Sequence, residues 1–199
     1  MKLHIGAGTS PIAGWTNVDI LPYPGVDTVL DVTQGLPFTD VEMIFAEHFL
    51  EHLTLADGLR FLAECRRALN DDGVLRISTP NLDWVWLTHY KQPDEMTPDE
   101  QLRGCLEINR AFHGWGHRFL YNRHMLRSVL ERSGFRDFVE CEYGLSAYAA
   151  LNGLERHELS DGLPGSPSVL IVEASGRVAV EPEMFDTAIA PYVRDFGTT

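Results

Sequence analysis

The stretch Lys2-Leu3-His4-Ile5-Gly6-Ala7-Gly8 decides how the chain is read. A short apolar run ends on two glycines one residue apart. Lys2–Ile5 reads as a strand and Gly6-Ala7-Gly8 as the turn after it, because glycine lets the backbone bend sharply and lets a ligand approach it closely. Taken alone, the pair says no more than "tight turn". Its meaning depends on the elements downstream of it.

Working outward, short apolar runs alternate with turn residues. Asn17–Ile20, Asp27–Val32 and Val41–His48 read as strands, the last apolar almost throughout, as a strand buried on both faces should be. A helix comes next: Thr54 can cap it, and Leu55, Leu59, Leu62, Cys65 and Leu69 share a face. Asn70-Asp71-Asp72-Gly73 stops it, and Val74–Thr79 is a fifth strand closed by Pro80-Asn81. Strands alternating with a helix predict an α/β protein with a doubly wound, mostly parallel sheet.

Residues 84–121 interrupt the alternation. They carry Trp84, Trp86, Tyr90, Phe112, Trp115, Phe119 and Tyr121, and one helix from about Pro98 to Phe112. The segment is too long for an ordinary connection. A lid over a substrate and a helix that merely covers the sheet explain it equally well. A helix over Asn122–Ser133 ends at Gly134, and Phe138–Tyr143 and Ser168–Ala174 read as strands joined by a Gly/Pro-rich loop. The expected organisation is one domain over residues 1–176 and a tail over 177–199. A short helix is expected near Met184–Ile189 of that tail, where fraying and a homodimer contact are both open.

Composition narrows the class. The chain has 199 residues, enough for one core, and a formal net charge of −13. So acidic a chain is a poor ligand for nucleic acid, whose phosphates are held by Lys and Arg. Arg118, Arg123, Arg127 and Arg132 accordingly read as a solvated helix face. No apolar stretch reaches the ~18 residues of a membrane span. The start leaves no room for the core of a secretory signal, which predicts a cytoplasmic protein. Cys65, Cys105 and Cys141 fit neither a disulfide framework nor a Cys-x-x-Cys site.

The chemistry lies in acids at strand ends. Asp19 closes the second predicted strand, where a carboxylate can accept both hydroxyl protons of a ribose. Asp31 closes the third, where it can accept from an adenine amino group with Val32 against the ring. Each has a plain alternative as a surface Asp. Their placement beside the glycine pair, at three successive strand ends, is the signal, because ligands of open α/β sheets sit outside the carboxyl ends of the strands.

These residues, with Leu36-Pro37-Phe38, His48-Phe49-Leu50-Glu51-His52-Leu53 and Arg66-Arg67-Ala68-Leu69-Asn70-Asp71-Asp72-Gly73-Val74-Leu75, resemble the class I methyltransferases dependent on S-adenosylmethionine. More narrowly, they resemble the group with a Leu-Glu-His motif after strand four. The resemblance covers residues 2 to about 81 and, more loosely, Phe119–Phe135. It implies a Rossmann-like, three-layer αβα fold whose C-terminal strand is antiparallel. It also implies that Gly6, Ala7 and Gly8 hold the methionine part of the cofactor, Asp19 the ribose, and Asp31 with Val32 the adenine. Glu47 and His48 would flank the cofactor and face the substrate.

The chain departs from that pattern at one place that matters. The family has a full helix between the glycine loop and the second strand, whose N-terminal dipole helps hold the cofactor carboxylate. Only Thr9–Thr16 intervene here, with Pro11 and Gly14 among them. The Thr9 and Ser10 hydroxyls are the expected substitutes.

His48, Glu51 and His52 fall at i, i+3 and i+4, a spacing that can bind a divalent metal, with His113 or His117 completing the set. The set resembles that of small-RNA 2′-hydroxyl methyltransferases and ubiquinone-pathway O-methyltransferases, which use a metal there. The preferred reading is metal-free, with Glu51 and His52 fixing the loop by hydrogen bonds. His48 is then the expected general base, because an imidazole of ordinary pKa ~6.5 suits deprotonation near neutrality. His117 is a second catalytic candidate, and with Tyr121, Trp84 and Trp115 it is expected to line an acceptor pocket.

The predicted activity is methyl transfer from S-adenosylmethionine to an O or N atom of a small molecule. A binding protein that keeps the fold without catalysis is the alternative, favoured by the lost helix and opposed by the retention of both acids. A nicotinamide-dependent oxidoreductase is disfavoured, since Pro11 stands where a third glycine would and no Tyr-x-x-x-Lys pair is present.

Overall fold

In the computed structural model, residues 1–90, 93–157, 162–179 and 183–196 are described. The strands are β1 (Lys2–Ile5), β2 (Thr16–Asp19), β3 (Thr28–Val29), β4 (Val41–Glu47), β5 (Leu69–Pro80), β6 (Asp137–Glu140) and β7 (Val169–Ser175). They form one seven-stranded sheet in the order β3-β2-β1-β4-β5-β7-β6. The pairs from β3 through β5 are parallel, and β7 runs antiparallel to both β5 and β6. This is the doubly wound, mostly parallel sheet that the sequence predicts, with the antiparallel strand at its C-terminal end.

The helices are α1 (Leu55–Ala68), α2 (Leu82–His89), α3 (Pro98–His113), α4 (Arg123–Arg132) and α5 (Glu183–Phe196). Their starts reflect local chemistry. The Thr54 hydroxyl accepts the Asp57 N–H at 3.1 Å, and the Asn122 side chain accepts the Met125 N–H at 2.8 Å. Thr97 and Glu100 form a full capping box for α3. Helix α2, absent from the sequence reading, is started by Asn81, whose side chain accepts the Asp83 N–H at 3.0 Å. Among the described residues no helix is long and apolar enough to cross a membrane.

Strand residues alternate between faces, and the two faces are covered differently. Leu3, Ile5, Val18, Ile44, Ala46, Leu75 and Ile77 pack with Phe61, Leu62 and Cys65 of α1 and Leu126, Val129 and Leu130 of α4. Ile189 and Val193 of α5 join this core, so the tail packs back onto the domain. The opposite face carries Phe45 and Val74, covered by Ile12 and Trp15 from the loop after β1 and by Leu151 and Leu154 from the segment between β6 and β7.

That segment is pinned by charge. Arg76 of β5 is fully buried on the second face. Its Nε donates to Glu155 at 2.6 Å and its Nη1 to Glu173 of β7 at 2.7 Å, with the Leu145 carbonyl a further acceptor at 3.0 Å. The loop after β1 is knitted by Asn17, also buried. Its carboxamide accepts the Ile12 N–H at 2.7 Å and bonds the His4 imidazole at 3.1 Å, and it donates to the Ile12 and Trp15 carbonyls and to Asp27.

Several boundaries differ from expectation, each for a local reason. β3 is two residues long, not Asp27–Val32, because the Asp31 side chain accepts from both the N–H and the hydroxyl of Thr33 and bends the chain into a 3₁₀ turn over Val32–Gln34. β4 ends before His48, which leaves the strand at φ +45°. β5 begins at Leu69, directly after α1, and the Asn70–Gly73 turn becomes an irregularity in its pairing with β4. α5 extends over Glu183–Phe196 despite Pro191.

Two predictions test this packing. Arg76→Met strands two buried carboxylates, so it should destabilise the fold by about 3–5 kcal/mol, read as a large drop in the denaturation midpoint. Burial holds the His4 imidazole below its ordinary value, against the smaller upward pull of Asn17. Below pH ~6.5 the unfolded chain therefore takes up a proton that folded His4 refuses. This stabilising contribution is complete above that pH and is lost as pH falls toward the folded pKa. On acidification from neutrality, the wild-type melting temperature should fall further than that of His4→Gln.

Candidate functional site

The glycine loop sits at the carboxyl ends of β1, β2 and β4. The Gly6 and Ala7 N–H groups both donate to the Val18 carbonyl, at 2.9 and 3.1 Å. Gly6 has φ +70°, and a Cβ there would stand 2.8 Å from the Phe49 ring, so both conformation and contact require glycine. The Gly8 N–H donates to Asp19 Oδ2 at 2.9 Å, and Asp19 Oδ1 accepts the Leu21 N–H at 2.9 Å. Sequence reading pairs the glycines with Asp19, and here they are joined by a hydrogen bond that orients the carboxylate. No helix succeeds the loop: Ser10 turns back on the Ala7 carbonyl and Trp15 on that of Ile12.

Beside the loop lies a cavity of about 280 Å³, lined by Gly6, Ala7, Gly8, Thr9 and Ser10, by His4 and Phe45, by Glu47 and His48, and by Leu154, Arg156 and His157. The last three come from the β6–β7 segment. Glu47 Oε1 accepts the backbone N–H groups of Arg156 and His157, at 2.7 and 3.0 Å, and the His157 ring at 3.2 Å. Arg156 Nη1 donates to the Ser10 carbonyl. Glu47, expected beside the cofactor, thus lines the cavity and anchors the segment that closes it. Arg156 and His157 carry no local signal, since the chain between them and the loop spans most of the domain.

His48, next along, holds an uncommon left-handed conformation. Its N–H donates to the Ser78 carbonyl at 3.0 Å, and its Nδ1 lies 3.0 Å from Glu51 Oε1. Glu51 is fully buried, and its Oε2 accepts the Thr79 hydroxyl at 3.0 Å. A carboxylate on Nδ1 fixes the proton there and leaves the Nε2 lone pair free. The His157 ring lies 4.4 Å from that of His48.

Glu51, His52 and His117 bring one ligand atom each within 4.8 Å of one another. His117 Nδ1 lies 2.8 Å from the Ala111 carbonyl, the outer hydrogen bond that metal-binding histidines make, leaving Nε2 free to ligate. Ligand atoms sharing one ion at ~2.1 Å sit within about 4 Å of each other, somewhat closer than the 4.8 Å within which these three lie. His48 is turned to Glu51 instead.

The remaining predicted residues are placed differently. Val32 is buried in the main core, so it offers no open face to an adenine. Asp31 caps the 3₁₀ turn, and the Thr33 hydroxyl holds its carboxyl below the usual range. Tyr121 is fully buried against α1, not in an acceptor pocket. A Cβ on Gly58 would stand 2.9 Å from the Tyr121 hydroxyl, and burial pushes that phenol far up. Trp115 is 66% exposed with Arg110 over its ring at 4.7 Å, and Trp84 stands edge-on to His89. Within α2 and α3 it is Trp86 and Phe112 that line a cleft, of about 620 Å³, against Pro164–Ser166. A cavity of about 640 Å³ lies along β6, β7 and α4, lined by Arg127, Phe138, Glu140 and Ile171 among others.

No family model matches the chain, and no curated protein does. Solved structures do. One titled as a SAM-dependent methyltransferase, possible histamine N-methyltransferase, from Thermotoga maritima is 14% identical. It matches over 88% of this chain and 81% of its own, with a TM-score of 0.54. PigF with SAH is 15% identical over 87% of this chain, with a TM-score of 0.51, and the pyocyanin biosynthetic protein PhzM is 17% identical over 89%, with a TM-score of 0.51. The chain spans about half the length of the latter two, 50% in each case. At this identity the likeness speaks to architecture: the chain has the Rossmann-like fold of the class I SAM-dependent methyltransferases.

Proposed function

We propose that the chain transfers a methyl group from S-adenosylmethionine to an oxygen or nitrogen atom of a small molecule. The observation that carries this is the Gly8 N–H held on Asp19, in a glycine loop that also lines a cavity with the ends of β1 and β4. Asp19, at the carboxyl end of β2, is an oriented carboxylate of the kind that accepts from a ribose diol. The fold shared with enzymes of this chemistry supports the same reading.

Bound at this loop, S-adenosylmethionine supplies the methyl as an electrophile on a sulfonium. The chain's own residues align the acceptor and handle its proton. His48, its Nδ1 set by Glu51, would take that proton on Nε2 as the acceptor is methylated. Buried Glu51 stabilises the imidazolium so formed, as the orienting carboxylate of a triad does. The aromatic character of the 84–121 segment is the support for an apolar or planar acceptor, or a sugar stacked on an indole.

A metal-assisted variant has its own support in the Glu51, His52 and His117 set. A divalent ion held there would polarise an acceptor hydroxyl. Manganese or zinc should then raise the melting temperature of the wild type but not of His117→Ala. Equal shifts in both proteins would leave the metal-free route.

The cofactor reading is tested by thermal unfolding. S-adenosylhomocysteine at about a hundred times its dissociation constant stabilises by ~2.7 kcal/mol. The shift should appear with the sulfur nucleosides, be absent with a nicotinamide dinucleotide, and vanish in Asp19→Ala. No shift with either sulfur nucleoside would refute it. A shift without S-adenosylhomocysteine production across a broad acceptor panel would favour a non-catalytic binding protein.

A further inference from the structure

An S-adenosyl nucleoside ends in an α-amino acid, so a site that holds it must meet a carboxylate. Where a helix succeeds the glycine loop, its N-terminal N–H groups can do so. Between β1 and β2 this chain makes only turns, and Pro11 removes one of the few N–H groups present. Some other cationic or donor group has to face the anion.

Among the described lining residues of the loop cavity, Arg156 is the one arginine or lysine. It is held from both sides. Its predecessor, Glu155, is buried on Arg76 at 2.6 Å, and its own N–H is fixed on Glu47 at 2.7 Å. Nη1 donates to the Ser10 carbonyl at the end of the glycine loop. That bond sets the plane of a guanidinium with four further N–H donors. Its charge is near enough to contribute to the low pKa of His4, at the base of the same cavity. A planar fork fixed in this way is suited to bidentate capture of a carboxylate.

Resting on the proposed cofactor, we propose that Arg156 binds the carboxylate of the cofactor's amino-acid end. It takes the place of the missing helix N-terminus from the opposite end of the chain. The Thr9 and Ser10 hydroxyls, expected from sequence to do this, are then secondary.

The test compares two ligands by calorimetry. S-adenosylhomocysteine carries the amino-acid end; 5′-methylthioadenosine keeps the adenosine and thioether without it. Losing a charge-assisted pair should weaken S-adenosylhomocysteine by about tenfold or more in Arg156→Ala, and 5′-methylthioadenosine by less than about twofold. Arg156 is exposed, so the unliganded melting temperature should hold, and Arg156→Gln should repeat the pattern. Equal weakening of both ligands, or none, would overturn the assignment. So would a selective loss in Thr9→Ala/Ser10→Ala that Arg156→Ala fails to show. If the unsubstituted protein binds neither nucleoside, the cofactor reading fails first and takes this inference with it.

Discussion

A guanidinium buried in the middle of a β-sheet is the constraint around which the second face of this protein is organised. Arg76 lies on β5, an interior strand of the sheet, with no exposed surface. An ion so placed is tolerated only with partners of opposite charge and its hydrogen bonds filled. One partner, Glu173, comes from the neighbouring strand at the paired position. The other, Glu155, must be carried in by chain that is not part of the sheet. Residues 151–155 of the β6–β7 connection therefore lie against this face, and Leu151 and Leu154 fill the space over Phe45 and Val74. A face that the short β1–β2 connection covers only in part, with Ile12 and Trp15, is closed by residues from much later in the chain.

The same tether shapes the site. The residues after Glu155 arrive at the glycine loop, where Glu47 accepts two of their N–H groups. The cavity beside the loop is thus bounded by the first turn of the chain and by a late loop. Its charged side chains are Glu47, at the end of β4, and Arg156, from the late loop. Buried Asn17 does the complementary work at the loop's base, where one carboxamide satisfies the backbone of Ile12 and Trp15 and the ring of His4. Buried polar networks of this kind rigidify what they join. The two loops are accordingly held, although among the described residues neither contains an α-helix.

Glu51 plays a comparable part on the other side of His48. With both carboxylate oxygens hydrogen-bonded and no exposure, it fixes an imidazole whose backbone already sits in an unfavourable conformation. Its carbonyl accepts the Arg118 and Phe119 N–H groups, which ties the returning end of the 84–121 segment to the end of β4. Strain and burial concentrated at one strand end are characteristic of functional positions.

The sequence by itself determined the sheet's strands, their parallel winding, the capped helices α1, α3 and α4, and the partnership of the glycine loop with Asp19. These are legible because they rest on local rules: apolar runs, capping side chains, glycine turns, and acids at strand ends. Helix α2 escapes such rules because its start depends on one Asn81 cap in an aromatic stretch without helical periodicity. Asp31, Val32 and Tyr121 invite ligand roles by position along the chain, yet position does not say which face a side chain takes. Val32 and Tyr121 lie in the core and Asp31 in a turn. Arg156 and His157 join the site only in three dimensions. What brings them to the glycine loop is the pairing of Arg76 with Glu155, a charge contact across 79 positions that no local pattern records.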